Sequence, residues 1–178
     1  MTKPECTAAV PRLHIQQGQL TLSIPVDEEA VIASAQRILK QRFKRQSQPL
    51  ESPQALRTFL QMQFLPCEQE VFACLFLDSR HRLITLETLF YGSINQTTVH
   101  PREVVKAALK HNCAALVALH NHPSGHAEPS QADLSLTFRL HEALEMVEIE
   151  LLDHFIVGAD GMISLAERGI CKRNSVSR

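Results

Sequence analysis

Ala114-Ala-Leu-Val-Ala-Leu-His120-Asn121-His122-Pro123-Ser124-Gly125 decides how the rest of the chain is read. Ala114 to Leu119 is an apolar run of the length of a short buried strand. It feeds into a loop of Pro, Ser and Gly, where the backbone must turn irregularly. Two histidines two positions apart, just beyond a strand, can face one point. Ser130 then caps a helix over about 131–146, and Asp133 stands three residues on, the spacing of a capping box. The pattern His120-x-His122, ten residues, Asp133 therefore offers two imidazoles and one carboxylate. That is a normal donor set for Zn2+, with a fourth position left for water. Ligand sites of open α/β sheets collect at this end of a strand. A helix cap alone also accounts for Ser130 and Asp133, and spacing does not decide between the two.

Working outward, Ile149–Val157 reads as a strand, and Ala159-Asp160-Gly161 turns it back into a short strand near 162–165. His154 lies in the first of these and reads as a packed, hydrogen-bonded histidine rather than a ligand. Upstream, His100-Pro101 opens a helix over about 101–111 with Val104, Val105, Ala108 and Leu109 as its apolar stripe. Val71 to Leu77 is almost unbroken apolar, which predicts a strand covered on both faces. Asp78-Ser79-Arg80-His81 turns it into a second strand at about 82–88. Ser52-Pro53 starts a helix to about Phe64. Leu13, Ile15, Leu20, Leu22 and Ile24 suggest a ragged hairpin, and Asp27 caps a helix over 28–44 that ends basic. The order of elements predicts an α/β layered domain with a mixed central sheet flanked by helices.

The chain has 178 residues, 44% hydrophobic and 21% charged, with a formal net charge of -1. That composition can bury a core, which excludes wholesale disorder. The charge balance argues against a whole-surface grip on nucleic acid. No apolar stretch approaches a membrane span, and residues 1–10 lack the apolar core of a secretory signal. Five cysteines (Cys6, Cys67, Cys74, Cys113 and Cys171) form no CxxC pair. Such usage points to a reducing, cytoplasmic setting.

A zinc-water site needs a general base, and Glu70 and Glu68 stand before the strand at 71–77 as candidates. Spacing does not show that either reaches the site. Several other chemistries fail. The letters His-Asn-His at 120–122 are not the separated residues of an HNH nuclease. A zinc deaminase needs His-x-Glu and Pro-Cys-x-x-Cys, and neither GxGxxG nor GxxxxGK occurs.

His120-Asn121-His122-Pro123-Ser124-Gly125 followed by Pro129-Ser130-x-x-Asp133 resembles the signature of RadC-like proteins. These belong to the JAB, or MPN-plus, metalloprotease superfamily. Glu70-Val71-Phe72, Phe76-Leu77-Asp78, Val99-His100-Pro101-Arg102-Glu103 and Asp153-His154 extend the resemblance over about residues 50–171. It implies a three-layer, cytidine-deaminase-like JAB domain at 51–171, between an arm and helix at 1–50 and a frayed basic tail at 172–178. It also implies that His120, His122 and Asp133 hold Zn2+, that Glu70 is the general base, and that Ser130 donates to the developing oxyanion. The implied reaction is hydrolysis of a peptide or isopeptide bond by zinc-activated water, on an unknown substrate. Longer members carry an N-terminal helix-hairpin-helix module, which residues 1–50 do not resemble. The shorter form resembles prophage-associated bacterial members. The rival expectation is a DNA-associated or protein-binding accessory protein that keeps the metal site without proteolysis. Exposed strand edges leave a homodimer open.

Overall fold

The structure, a computed structural model, describes residues 13–16, 19–22, 28–45, 53–92 and 98–171. The chain divides into two compact units, residues 1–42 and 43–178. In the first, β1 (Leu13–Gln16) and β2 (Gln19–Leu22) pair antiparallel, with Leu13 opposite Leu22. They are followed by α1 (Glu28–Arg45), close to the predicted helix. The side chains of its basic run from Lys40 to Arg45 lie outside the described residues, as do the expected linker at 46–51 and the tail at 172–178.

The second unit carries α2 (Pro53–Phe64), β3 (Val71–Leu77), β4 (Leu83–Tyr91), α3 (Pro101–Lys110), β5 (Ala115–Asn121), α4 (Gln131–Glu145), β6 (Glu150–Gly158) and β7 (Gly161–Ser164). Its sheet has the order β4-β3-β5-β6-β7. β5 and β6 run parallel, and the other neighbours are antiparallel. This is the expected mixed sheet. The parallel pair needs a crossover, which α4 supplies.

β3 and β5 are buried at every position, as their near-continuous apolar sequences require. On one face, Phe72, Cys74, Phe76, Leu116, Ala118 and Leu151 pack against Val104, Ala107 and Ala108 of α3 and Leu140 and Leu144 of α4. α2 packs against β6 and β7, and the Arg57 guanidinium lies over the Phe155 ring, 5.6 Å from its centroid. Side chains alternate along a strand. Phe155 therefore faces away from His154 and Ile156, and α2 covers the sheet face opposite α3 and α4.

Two strands run past their predicted ends. β4 continues to Tyr91 because register shifts at Phe72/Ala73 and Phe76/Leu77 let its nine residues follow the seven of β3. Bulges of this kind insert an extra residue and sharpen the twist. β5 continues through His120 and Asn121 because it still has partners there. His120 lies opposite Phe72 on one side and Ile156 on the other, and Asn121 lies opposite Val157. His120 is therefore a strand residue, where the sequence suggested a loop. A third shift falls between Leu116 and Val117: Leu116 pairs with Leu151 but Val117 with Asp153. Leu152 is the extra residue. Its insertion turns His154 onto the face that carries His120.

The β6–β7 turn is packed against the loop after β5. A Cβ on Gly158 would stand 2.6 Å from both the Ala127 nitrogen and the Gly125 oxygen. These are backbone atoms and cannot swing aside. Gly158→Ala is therefore expected to cost about 1–3 kcal/mol, the range for overpacking. Urea unfolding would measure it, with Gly161→Ala less informative because that glycine has a positive φ and open space around it.

Candidate metal centre

β5 and the first turn of α4 bring three side chains to one point. His120 Nε2 lies 3.0 Å from His122 Nε2 and 3.2 Å from Asp133 Oδ1. His122 Nε2 lies 3.5 Å from Asp133 Oδ2. Among the described residues, these three form the one group with donor atoms clustered closely enough for a metal ion. Donors held at the usual zinc distance around a tetrahedral centre stand about 3.3 Å apart. The observed separations, taken to Oδ1 for His120 and to Oδ2 for His122, bracket that value.

The hydrogen bonds behind the imidazoles fix their protons. Thr137 Oγ1 donates to the Asp133 carbonyl at 2.7 Å, since a carbonyl can only accept. Its hydrogen is thereby used, so the 2.6 Å contact with His154 must run from His154 Nδ1–H to Thr137 Oγ1. His154 is fully buried, and burial, aided by nearby His120, pushes its pKa well below the ordinary imidazole value. It is neutral, so its Nε2 is an acceptor. His120 Nδ1–H donates to it at 2.9 Å, which turns His120 Nε2 towards the centre. In the same way His122 Nδ1–H donates to the His126 carbonyl at 2.7 Å, which turns His122 Nε2 towards the same point. Both Nε2 atoms and a carboxylate thus converge where a proton or a metal ion can sit between them. Outer partners that set the tautomer in this way are characteristic of histidine metal ligands.

Asp133 is held as firmly. Ser130 N–H and Oγ–H donate to its Oδ2 at 2.7 and 2.6 Å, and Asp133 N–H donates to Ser130 Oγ at 3.2 Å. The capping box foreseen from the spacing is complete. Burial alone would raise the Asp133 pKa. The bonds from His120 and His122 outweigh it and hold the carboxylate well below its usual range. Asp133 in turn raises the pKa of His122.

A cleft of about 520 Å3 opens over the triad, lined among others by Glu70, Phe72, Val99, Ser130 and Leu136. Glu70 thus shares the cleft with the three candidate ligands, whereas Glu68 is exposed and does not line it. The segment that carries Glu70 is tied down by Asn121, which is only 3% exposed. The Asn121 Oδ1 accepts from Val71 N–H at 2.8 Å, and its Nδ2 donates to the carbonyls of Cys67 and Gln69 at 3.1 Å. Both neighbours of Glu70 are therefore held by the residue between the two histidines. Sequence reasoning read Asn121 only as a letter of the motif and missed Thr137. The signal for Thr137 was its place four residues after Asp133, where a helical threonine bonds back to the i−4 carbonyl. His126 contributes its carbonyl, while its ring is exposed near Asp160. His100 and Arg102 do not line the cleft.

A family model described as the RadC-like JAB domain matches residues 50–170. The chain belongs to the RadC-like JAB family. This RadC-like chain is 52% identical over 141 residues to a UPF0758 protein of Azotobacter vinelandii, which covers 79% of the chain and 62% of the relative. It is 51% identical over 145 residues to one from Pseudoalteromonas translucida (82% and 64%). A third, from Coxiella burnetii, is 53% identical over 134 residues (75% and 59%). The RadC-like chain thus spans less than two thirds of the length of these three bacterial relatives. Among the described residues no helix is long and apolar enough to cross a membrane.

Two outcomes are expected for metal binding. His154→Leu leaves the His120 Nδ1–H without an acceptor and should weaken Zn2+ binding about 10- to 100-fold, as read by competition with a chelator. Zn2+ must also displace the proton that Asp133 favours on His122. Affinity should therefore fall as pH drops through the raised pKa of His122, and binding should release protons. Calorimetry in buffers of different ionisation enthalpy would count them.

Proposed function

We propose that this chain is a zinc-dependent hydrolase of peptide or isopeptide bonds. The observation that carries the reading is the convergence of two imidazole Nε2 atoms and a carboxylate in an open cleft that also contains Glu70. His120, His122 and Asp133 would hold Zn2+, which supplies a Lewis acid able to lower the pKa of water to about 7 and to polarise a carbonyl.

The chain's own groups divide the remaining work. Glu70 accepts the proton of the attacking water and passes it to the leaving amine, so that one carboxylate serves as base and then acid. Asn121 limits the freedom of Glu70 through its bonds on either side of that residue. Ser130 donates a hydrogen bond to the substrate carbonyl oxygen as negative charge gathers there. In the resting site its hydroxyl points to Asp133 Oδ2. Ser130 N–H donates to the same oxygen, so the hydroxyl can turn to substrate while the amide keeps the carboxylate in place. Phe72, Val99 and Leu136 give the cleft apolar walls, where such polar interactions are worth more than in water.

The test pairs metal analysis with cleavage of a peptide library that includes lysine isopeptides. The wild type should hold one zinc per chain and cleave members of the library. Glu70→Gln should keep its zinc and lose at least about 100-fold in kcat, the usual contribution of a general base. Ser130→Ala should keep folding and zinc and lose about 3 kcal/mol of transition-state stabilisation. A zinc-loaded wild type that cleaves nothing would sink the proposal. It would favour an accessory protein with an inert centre.

A further inference from the structure

The cleft contains a charge that the chemistry above does not use. Ala132, Leu136 and Arg139 line it from one face of α4, at four- and three-residue spacing. Phe72, Thr98 and Val99 also line it. Elsewhere in the unit Arg57 pairs with Glu167, Arg82 with Asp78, and Arg168 with both carboxylate oxygens of Glu128, while Arg80 and Arg102, outside the cleft, have no such pair among the described residues. Arg139 is exposed in the cleft and, among the described residues, has no such partner. The two carboxylates in the cleft lining, Glu70 and Asp133, belong to the proposed reaction centre. The lining is therefore acidic where Asp133 meets the histidines and basic farther along α4.

We infer that Arg139 is a subsite for a substrate carboxylate, and this rests on the peptidase reading. A guanidinium stays charged at every physiological pH and presents a fork of N–H donors matched to the two oxygens of a carboxylate. Six residues of helix separate Arg139 from Asp133, a rise of roughly 9 Å. An extended chain covers that distance in about three residues. The subsite thus takes a carboxylate about three residues from the bond that is cut. Its source is either an aspartate or glutamate side chain or the free C-terminus of the substrate.

Binding tests this separately from cleavage. The zinc-loaded Glu70→Gln protein is titrated with fluorescein-labelled pools of mixed hexapeptides, read by anisotropy. One pair of pools contains glutamate or glutamine at a fixed position, and a second pair ends in a free or amidated C-terminus. One acidic pool should bind about tenfold or more tightly than its neutral counterpart, as a charge-assisted pair predicts, and which pair differs identifies the source. Arg139→Gln should erase the difference, and Arg139→Glu should turn the preference towards a lysine pool. Equal affinity within both pairs, no binding of any pool, or an acid preference that survives Arg139→Gln overturns the inference. A wild type that cleaves none of the pools removes the hydrolase reading, whereas the acid preference and its loss in Arg139→Gln would still stand.

Discussion

Two imidazole Nε2 atoms that stand 3.0 Å apart beside a carboxylate, each with its other ring nitrogen already donating, need a proton or a metal ion among them. Every interaction around the centre enforces that arrangement. The carbonyls of Asp133 and His126 can only accept, so the hydroxyl and ring protons that meet them are committed away from the centre. The resulting polarity runs from a helix carbonyl through Thr137, His154 and His120 to the centre. A proton on His122 can supply the positive charge, and Asp133 favours it there. A metal ion taken up by these three groups would therefore compete with that proton.

The sheet makes this arrangement affordable in backbone terms. β5 lies between β3 and β6, so its residues are held from both sides up to the motif. His120 is the last residue of β5 paired with β3, and beyond it the Asn121 amide takes over the Val71 N–H. A side chain thereby replaces a rung of the ladder and carries the order of the sheet into the segment with Glu70. On the other side, the extra residue Leu152 in β6 changes which residues share a face. Without it, Asp153 would occupy the place of His154. Asp153 instead accepts from the backbone of His154 and Ala166 and from the Ser164 hydroxyl, closing the turn after β7.

Much of this was legible in the sequence. The apolar runs at 71–77 and 114–119 gave central strands because burial on both faces leaves no alternation to misread. Ser130 and Asp133 announced the start of α4, and their spacing to His120 and His122 marked the three side chains that the fold brings together. Register shifts were not legible: no residue type marks Leu152 as an extra residue, since leucine suits a paired position equally well. Nor was the reach of β5 into the motif. Histidine and asparagine followed by proline read as a loop, and only the pairing with Phe72 and Val157 makes them strand. Asn121 and Thr137 depend on residues far away in sequence or on hidden proton positions, which a linear pattern does not encode.

Asp133 completes the helix cap and supplies a donor oxygen with the same side chain. That dual duty narrows what the position can become. A third imidazole there would double the net charge of a bound dication taken together with its three donors, and it would leave the Ser130 amide without the carboxylate oxygen it now donates to. The blend of neutral and anionic donors is thus anchored in backbone architecture rather than in the demands of coordination alone. Changes that leave the helix cap intact are then confined to the groups around these three residues.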